Sequence, residues 1–200
     1  MKIYFHLCLE EFTNCYVIAN DDPNVKEALI IDPGKISTEI INQIEDGGYD
    51  LTGVLITHNH KNHVKGLNAL CKIYSPHIYA ADYEVADYKS IVLQGDGKLK
   101  IAGLDVEYFS VPGHSPDCMV FKIGNVLFTG DTITSGIIGE TSSSYSKKML
   151  RTKIQEKIFS QTEDLVLMPG HGPPSTVASE KQFNLDVAPS SSRSNLTELF

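Results

Sequence analysis

The segment Thr57–His63 reads Thr-His-Asn-His-Lys-Asn-His and places three histidines within six positions. It follows the apolar, β-branched run 51–57, which is typical of a buried strand. On an extended chain His58 and His60 share one face, because side chains alternate with a period of two. A turn after the strand can bring His63 back to the same point. Since neutral imidazole is the commonest metal ligand, the segment predicts a metal site at the end of a buried strand.

Three further predicted strands end in the same way, with one histidine or aspartate in a turn that contains glycine. The strands and their turn residues are 106–112 with His114, 126–129 with Asp131, and 164–168 with His171. Glycine lets the backbone turn sharply and approach a ligand closely. If the four strand ends lie at one edge of the fold, six side chains converge: His58, His60, His63, His114, Asp131 and His171. We interpret the two other histidines, His6 and His77, as structural, because both lie inside predicted strands.

The predicted elements come in two similar halves. The first half contains strands at 1–9, 13–20, 27–32, 51–57 and 77–81, helices at 36–44 and 64–72, and a helical turn at 83–88. The second half contains strands at 98–102, 106–112, 118–123, 126–129 and 164–168, and helices at 146–159 and 178–185. This order predicts a mixed α/β (α+β) fold, a four-layer αββα sandwich of two sheets between helices. We predict one domain over residues 1–186 and a flexible Ser-rich tail over 187–200.

Composition and charge restrict the class of function. With 42% hydrophobic residues and a formal net charge of −8, the 200-residue chain is typical of a globular protein and a poor candidate for nucleic-acid binding. We expect no membrane partner, since no stretch approaches the roughly 18 apolar residues of a membrane span. The apolar run after Lys2 is too short for a signal peptide, and the four cysteines form no Cys-x-x-Cys pair. These features predict a cytoplasmic protein with buried free thiols.

Five short motifs carry a family resemblance. They are Ile31-Asp-Pro-Gly34, Thr57-His-x-His, Pro112-Gly-His-Ser-Pro116, Phe128-Thr-Gly-Asp-Thr132 and Pro169-Gly-His-Gly172. Together they resemble the metallo-β-lactamase superfamily, whose signature is His-x-His-x-Asp-His followed by a single His, a bridging Asp and a final His. The resemblance runs from about Thr13 to Gly172 and is greatest to the glyoxalase II-like (hydroxyacylglutathione hydrolase-like) branch of short bacterial hydrolases. It implies the metallo-β-lactamase fold for residues 1–186.

The resemblance also assigns the ligands to two metal ions. It gives the first ion His58, His60 and His114, gives the second ion His63, His171 and the residue at position 62, and makes Asp131 the bridge. A metal ion held by imidazoles lowers the pKa of its bound water to about 7. The implied activity is hydrolysis of a thioester or small ester by metal-activated hydroxide. Zinc is the expected ion at a nitrogen-rich site, with iron or manganese as alternatives.

Position 62 departs from the family signature, because this chain has Asn62 where aspartate is usual. An amide oxygen can bind a metal ion, but it carries no charge and cannot act as a base toward a bridging water. We therefore predict one firmly bound ion and a second site that is weak or empty, with Asn62 and Asp131 as the catalytic positions. A slow hydrolase and a catalytically silent metal-binding relative are both consistent with Asn62, and the sequence leaves open whether this residue is natural or engineered.

The substrate is less constrained than the metal site. Glyoxalase II proper has a C-terminal helical region that helps to hold glutathione, and the segment after His171 is too short for it. The basic side chains at 147, 148, 151, 153 and 157 either attract an anionic small-molecule substrate or form an ordinary solvated helix face. Lactones and phosphoesters are alternative substrates. The oligomeric state is open, with a dimer through an apolar N-terminal strand edge as one arrangement.

Overall fold

The structure is a computed structural model, and it describes residues 1–188. Two six-stranded sheets form its centre. The first sheet has the spatial order β1 (Lys2–Cys8), β2 (Thr13–Ala19), β3 (Glu27–Ile31), β4 (Asp50–Leu55), β5 (His77–Ala80) and β8 (Ile91–Val92). The second has the order β14 (Ser175–Thr176), β13 (Val166–Pro169), β12 (Val126–Gly130), β11 (Met119–Ile123), β10 (Leu104–Ser110) and β9 (Gly97–Ile101). A separate hairpin consists of β6 (Glu84–Val85) and β7 (Tyr88–Lys89).

Helices cover the outer face of each sheet. They are α1 (Thr38–Gly47), α2 (Lys61–Val64), α3 (Leu67–Ile73), α4 (Ser144–Lys157) and α5 (Val177–Phe183). One apolar cluster joins α1 and α3 to the first sheet, a second fills the space between the sheets around Phe121 and Phe128, and a third joins α4 and α5 to the second sheet. The predicted four-layer αββα sandwich is therefore confirmed. None of the helices within residues 1–188 has the length and apolar character that a membrane crossing needs.

Strand direction brings the carboxyl ends of several strands to one edge of the sandwich. β3 and β4 are parallel, and so are β12 and β13. β10 runs in the same direction as β12, because each is antiparallel to β11 between them. The two sheets meet at this edge, where the backbone N–H of Met119 donates to the carbonyl oxygen of Thr57 over 2.7 Å. The turns that follow these strands consequently lie next to one another.

The structure differs from the sequence prediction in two segments near this edge. The single helix predicted over 64–72 is two helices, α2 and α3, separated at Gly66. The N–H of Gly66 donates to the carbonyl oxygen of Pro33, and a Cβ at this position would lie 2.5 Å from that oxygen. The helical turn predicted at 83–88 is wrong, because the segment is the β6–β7 hairpin. Ala86 and Asp87 form its two-residue turn with positive φ values of 47° and 69°.

The two short strands β8 and β14 were not predicted, since two residues are too few to show periodicity. All four cysteines are free thiols; Cys8, Cys15 and Cys118 are buried, whereas Cys71 is half-buried. His6 and His77 lie in β1 and β5, as predicted. Of the predicted tail over 187–200, residues 189–200 lie outside the described part of the chain.

Candidate metal centre

Three imidazoles from two strand ends meet at the edge of the sandwich. The ligand nitrogens of His58, His60 and His114 all lie within 4.8 Å of one another. Nδ1 of His60 is 3.0 Å from Nε2 of His114. The ring of His58 lies against both, with centroid distances of 4.5 Å to His60 and 4.9 Å to His114. The turn after β4 and the turn after β10 thus supply one compact group of nitrogen donors.

Hydrogen bonds fix which ring nitrogen faces this group. Nδ1 of His114 donates to the carbonyl oxygen of Glu140 over 2.7 Å, so its Nε2 keeps a lone pair. The hydroxyl of Thr57 donates to the Asp32 carboxylate over 2.6 Å and therefore accepts from Nδ1 of His58, which lies at 3.1 Å. Nε2 of His58 is left unprotonated and aimed at the cluster. Such partners orient metal ligands in known metal sites.

A second group of donors lies deeper and contains His63. Nδ1 of His63 donates to the Asp32 carboxylate over 2.9 Å, which turns its Nε2 toward Asp131. The donor atoms of His58, His63 and Asp131 are mutually within 4.8 Å, and all three residues are buried. Asp32 also accepts the N–H of Thr57 over 2.8 Å. One buried carboxylate therefore positions both sets of histidines.

Asp131 lies between the two groups of histidines. One carboxylate oxygen is 3.8 Å from His58, 3.7 Å from His114 and 3.6 Å from His171, and the other is 3.4 Å from His63. These are ion-pair distances without hydrogen-bond geometry. Gly170 permits this arrangement, because a Cβ there would lie 2.5 Å from Asp131 Oδ1. The carboxylate of Asp131 therefore lies within 3.8 Å of imidazoles from both groups.

Burial and charge oppose each other at these titratable groups. Burial, together with the neighbouring His63, lowers the pKa of His58 to about 3. Burial also disfavours the charged form of His63, but the Asp32 and Asp131 carboxylates outweigh it and raise the pKa of His63 to about 9. For Asp131 burial acts upward, yet the surrounding imidazoles lower the pKa of Asp131 to about 2. The centre therefore keeps an anionic carboxylate among imidazoles with very different proton affinities.

His171 and Asn62 form a contact of their own at the outer side of the centre. Nδ1 of His171 donates to the carbonyl oxygen of Phe12 over 2.9 Å, so the Nε2 of His171 carries a lone pair. The side-chain amide of Asn62 lies 2.9 Å from this nitrogen and donates to it. His171 approaches Asp131 but lies outside both groups of mutually close donors found in residues 1–188. The amide of Asn62 therefore engages the nitrogen with which His171 would bind a metal ion.

The donor set fits a divalent metal ion. Within residues 1–188, Nε2 of His58, Nε2 of His63 and Oδ1 of Asp131 are buried and make no hydrogen bond. Leaving such groups without a partner costs about 1–3 kcal/mol each, and a metal ion at their meeting point would satisfy them together. Imidazole nitrogens with one carboxylate suit zinc, and they are also used by iron and manganese proteins.

The sequence profile described as the metallo-beta-lactamase superfamily matches residues 9–181. This chain belongs to the metallo-β-lactamase superfamily. An uncharacterized protein of Treponema pallidum (strain Nichols) is 34% identical over 178 residues, which cover 88% of this chain and 94% of that protein. The hydroxyacylglutathione hydrolase of Chromohalobacter salexigens is 30% identical over 72% of this chain but only 57% of its own length. Hydroxyacylglutathione hydrolase GloC of Haemophilus influenzae is 28% identical over 86% of this chain and 91% of its own.

Solved structures of the superfamily have the same fold. The BLEG-1 B3 metallo-β-lactamase superposes with a TM-score of 0.84 at 25% identity, covering 94% of this chain and all of that one. TTHA1623, solved in a di-iron-bound form, gives a TM-score of 0.72 at 20% identity over 92% of this chain and 99% of that one. The αββα sandwich described above is therefore the metallo-β-lactamase fold.

Some of the groups that orient the histidines of this candidate metal centre were not predicted from the sequence. The carbonyl oxygens of Phe12 and Glu140 orient His171 and His114, and a backbone group leaves no signal in side-chain type. Thr57 was noted only as the start of the histidine segment, although its hydroxyl links His58 to Asp32.

The basic face of α4 was predicted either to attract an anionic substrate or to be a solvated surface. Most of its cations form ion pairs in the structure. Lys147 and Arg151 lie 2.7 Å and 3.7 Å from Asp186, Lys157 lies 2.6 Å from Asp96, and Lys153 lies 2.8 Å from Glu156. This pairing reduces the positive charge that the face offers to a substrate.

Proposed function

We propose that this protein is a metal-dependent hydrolase of a thioester or small ester. The observation that carries the proposal is the convergence of His58, His60 and His114, each of which offers one ring nitrogen within 4.8 Å of the other two. Hydrogen bonds to Thr57 and Glu140 leave two of these nitrogens with lone pairs directed at one point. Three imidazoles that leave a coordination position open are the usual basis of a catalytic zinc site.

The residues of the centre divide the work of hydrolysis. His58, His60 and His114 would hold a zinc ion, which would supply a water with a pKa near 7 and a Lewis acid for a carbonyl oxygen. Asp131 is ionised and faces the same point, so it orients the attacking water by accepting its hydrogen. Asp32 and Thr57 hold the imidazoles in the required tautomers.

A thioester places a small demand on a general acid. A thiol has a pKa near 8.5, so a thiolate leaves without prior protonation more readily than an alkoxide or an amine. The relatives named hydroxyacylglutathione hydrolases, at 30% and 28% identity, support this reaction class. At this low sequence identity, these relatives do not support glutathione itself as the thiol carrier of the substrate.

The second metal position is the weaker one in our proposal. His63, Asp131, Asn62 and His171 would hold it, but Asn62 adds no charge, and its amide donates to Nε2 of His171. Binding a second ion would require the amide to turn and present its oxygen. We therefore propose one firmly held ion, with zinc as the first choice and iron or manganese as alternatives.

The contact between Asn62 and His171 also favours a second candidate function. If the reaction requires both ions, the protein is a metal-binding relative without hydrolytic activity. The substitution Asn62→Asp separates the two candidates, because it restores the charge and removes the amide donor. Asn68→Asp is a matched control: Asn68 is exposed on α3, accepts from Tyr88, and can still accept as aspartate.

The test measures hydrolysis of S-lactoylglutathione and a panel of aryl thioesters by the metal-loaded proteins. Activity in the native chain supports the hydrolase. Activity that appears only in Asn62→Asp supports the silent relative. If neither protein hydrolyses any thioester while lactones or phosphoesters are cleaved, the thioester assignment is wrong.

A further inference from the structure

An apolar groove of about 410 Å³ is lined in part by the residues that directly follow His171 in the chain. Its lining residues are Phe5, Leu7, Phe12, Asn14, Gly172, Pro173 and Pro174. The volume falls within the range of about 300–1,000 Å³ that is typical of small-molecule sites. No lysine, arginine, aspartate, glutamate or histidine lines it in the described part of the chain. The groove therefore favours an uncharged apolar ligand.

The apolar side chains that line the groove are exposed to water, which is unfavourable unless a ligand covers them. The exposed fractions are 49% for Phe5, 45% for Leu7 and 68% for Phe12. The three side chains come from β1 and from the turn that joins it to β2. Contiguous exposed apolar surface of this kind marks a binding site more often than isolated exposed residues do.

Backbone contacts join the groove to the metal centre. Phe12 has a positive φ of 52°, a conformation that side-chain-bearing residues rarely adopt. In this conformation its carbonyl oxygen accepts from Nδ1 of His171, while its side chain lines the groove. Strain of this kind recurs at functional sites. One residue thus fixes both a predicted metal ligand and the adjacent apolar wall.

Hydrogen bonds of Asn14 hold the walls of the groove in place. The buried side chain of Asn14 donates to the carbonyl oxygens of Pro169 and Gly172 over 2.9 Å and 2.8 Å. Its backbone N–H donates to the carbonyl oxygen of Gly170 over 2.7 Å. These bonds tie β2 to the turn that carries His171. A wall held at a fixed position beside the turn that carries a predicted metal ligand can select among substrates.

We propose that this groove binds the apolar acyl group of the substrate, and that the protein prefers medium-chain or aromatic acyl thioesters to short or charged ones. The inference rests on the proposed hydrolase function. The thiol carriers of biological thioesters are rich in amide and ionised groups, so the acyl group is the part that an uncharged apolar groove fits. Phe5, Leu7 and Phe12 are then specificity-determining residues.

The test compares acetyl and octanoyl thioesters of N-acetylcysteamine as substrates of the metal-loaded protein. Each fully buried methylene strengthens binding about fourfold, so partial burial of the longer chain predicts a rise in kcat/KM of about tenfold or more. Leu7→Thr should reduce the octanoyl-to-acetyl ratio about threefold or more. Ile91→Thr is the matched control, because Ile91 is 46% exposed in β8 at the opposite edge of the same sheet. It should keep the native ratio.

Three results overturn the proposal: equal kcat/KM for the two thioesters, an unchanged ratio in Leu7→Thr, or a preference for S-lactoylglutathione over the octanoyl substrate. If no thioester is hydrolysed, the proposed function is wrong. Binding of an apolar ligand to the groove is then tested separately from hydrolysis. The probe is then S-octyl-N-acetylcysteamine, a thioether that cannot be hydrolysed, measured by calorimetry. Binding that Leu7→Thr weakens and Ile91→Thr does not supports the groove, and absence of binding refutes it.

Discussion

The side-chain amide of Asn62 donates a hydrogen bond to Nε2 of His171 over 2.9 Å. The carbonyl oxygen of Phe12 makes this direction of donation necessary, because it holds the proton of His171 on Nδ1. An aspartate at position 62 would present an anionic oxygen in place of a donor. This contact is the reason for our proposal that the protein holds one ion firmly and a second ion weakly or not at all.

Asn62→Asp is expected to raise the metal content from about one ion per chain to about two. The carboxylate adds a negative charge beside His171 and leaves the lone pair on Nε2 of His171 free to bind an ion. Equilibrium dialysis against zinc, followed by elemental analysis, measures the content directly. Asn68→Asp should leave it at the native value. Two tightly held ions in the native chain would contradict the assigned role of Asn62.

Thr57→Val removes the hydroxyl that lies between His58 and Asp32 while keeping the side-chain shape. Nδ1 of His58 then loses its partner, and Asp32 loses one of its hydrogen bonds. We expect a loss of about 1–3 kcal/mol in the free energy of unfolding. We also expect metal affinity to fall about 10–100-fold, as for other residues that orient ligands.

The control for this substitution is Thr52→Val in β4. The hydroxyl of Thr52 donates to the carbonyl oxygen of Ala28, away from the metal centre. Chemical denaturation and competition with a chelator give stability and metal affinity separately. If Thr52→Val weakens metal binding as much as Thr57→Val does, the effect of Thr57 is only a loss of stability.

The sequence predicted the strand ends but could not predict how the donors are oriented. Strand, turn and glycine patterns are local, and they placed six candidate ligands at one edge. The tautomer of His171 depends on the carbonyl oxygen of Phe12, which lies far away in sequence. The hairpin turn at Ala86 and Asp87 was missed because Ala86 gives no sign of a positive φ and the turn lacks the Asn-Gly, Asp-Gly or Gly-Gly pair that is typical of two-residue hairpins.

Glu180 is a buried carboxylate that holds the loop after Asp131. Both of its carboxylate oxygens accept from the N–H of Gly136, at 3.0 Å and 3.1 Å, and one accepts from Asn184 over 2.6 Å. Glu180→Ala leaves these donors unsatisfied and should cost about 2 kcal/mol or more in the free energy of unfolding. Urea denaturation measures the loss.

Glu156→Ala, on the exposed face of α4, should cost less than about 0.5 kcal/mol. Equal losses would refute the anchoring role.

The metal-free protein is expected to lose stability in acid because of His58. Burial lowers the pKa of His58 to about 3, whereas an unfolded histidine has a pKa near 6.5. At a pH between these two pKa values, His58 binds a proton in the unfolded chain but not in the folded chain. Stability should therefore fall as the pH decreases from about 6.5 toward 3. Urea midpoints in the presence of a chelator test this, and a flat midpoint across that range would contradict it.

The same protein is expected to lose stability in alkali because of His63. The carboxylates of Asp32 and Asp131 overcome burial and raise the pKa of His63 to about 9. The stabilising charge pair is complete below the unfolded pKa near 6.5, and it is lost as the pH rises through 9. His63→Gln removes the titrating group, so its urea midpoint should decline less between pH 7 and about 10. An identical decline in both proteins would assign the alkaline transition to another group.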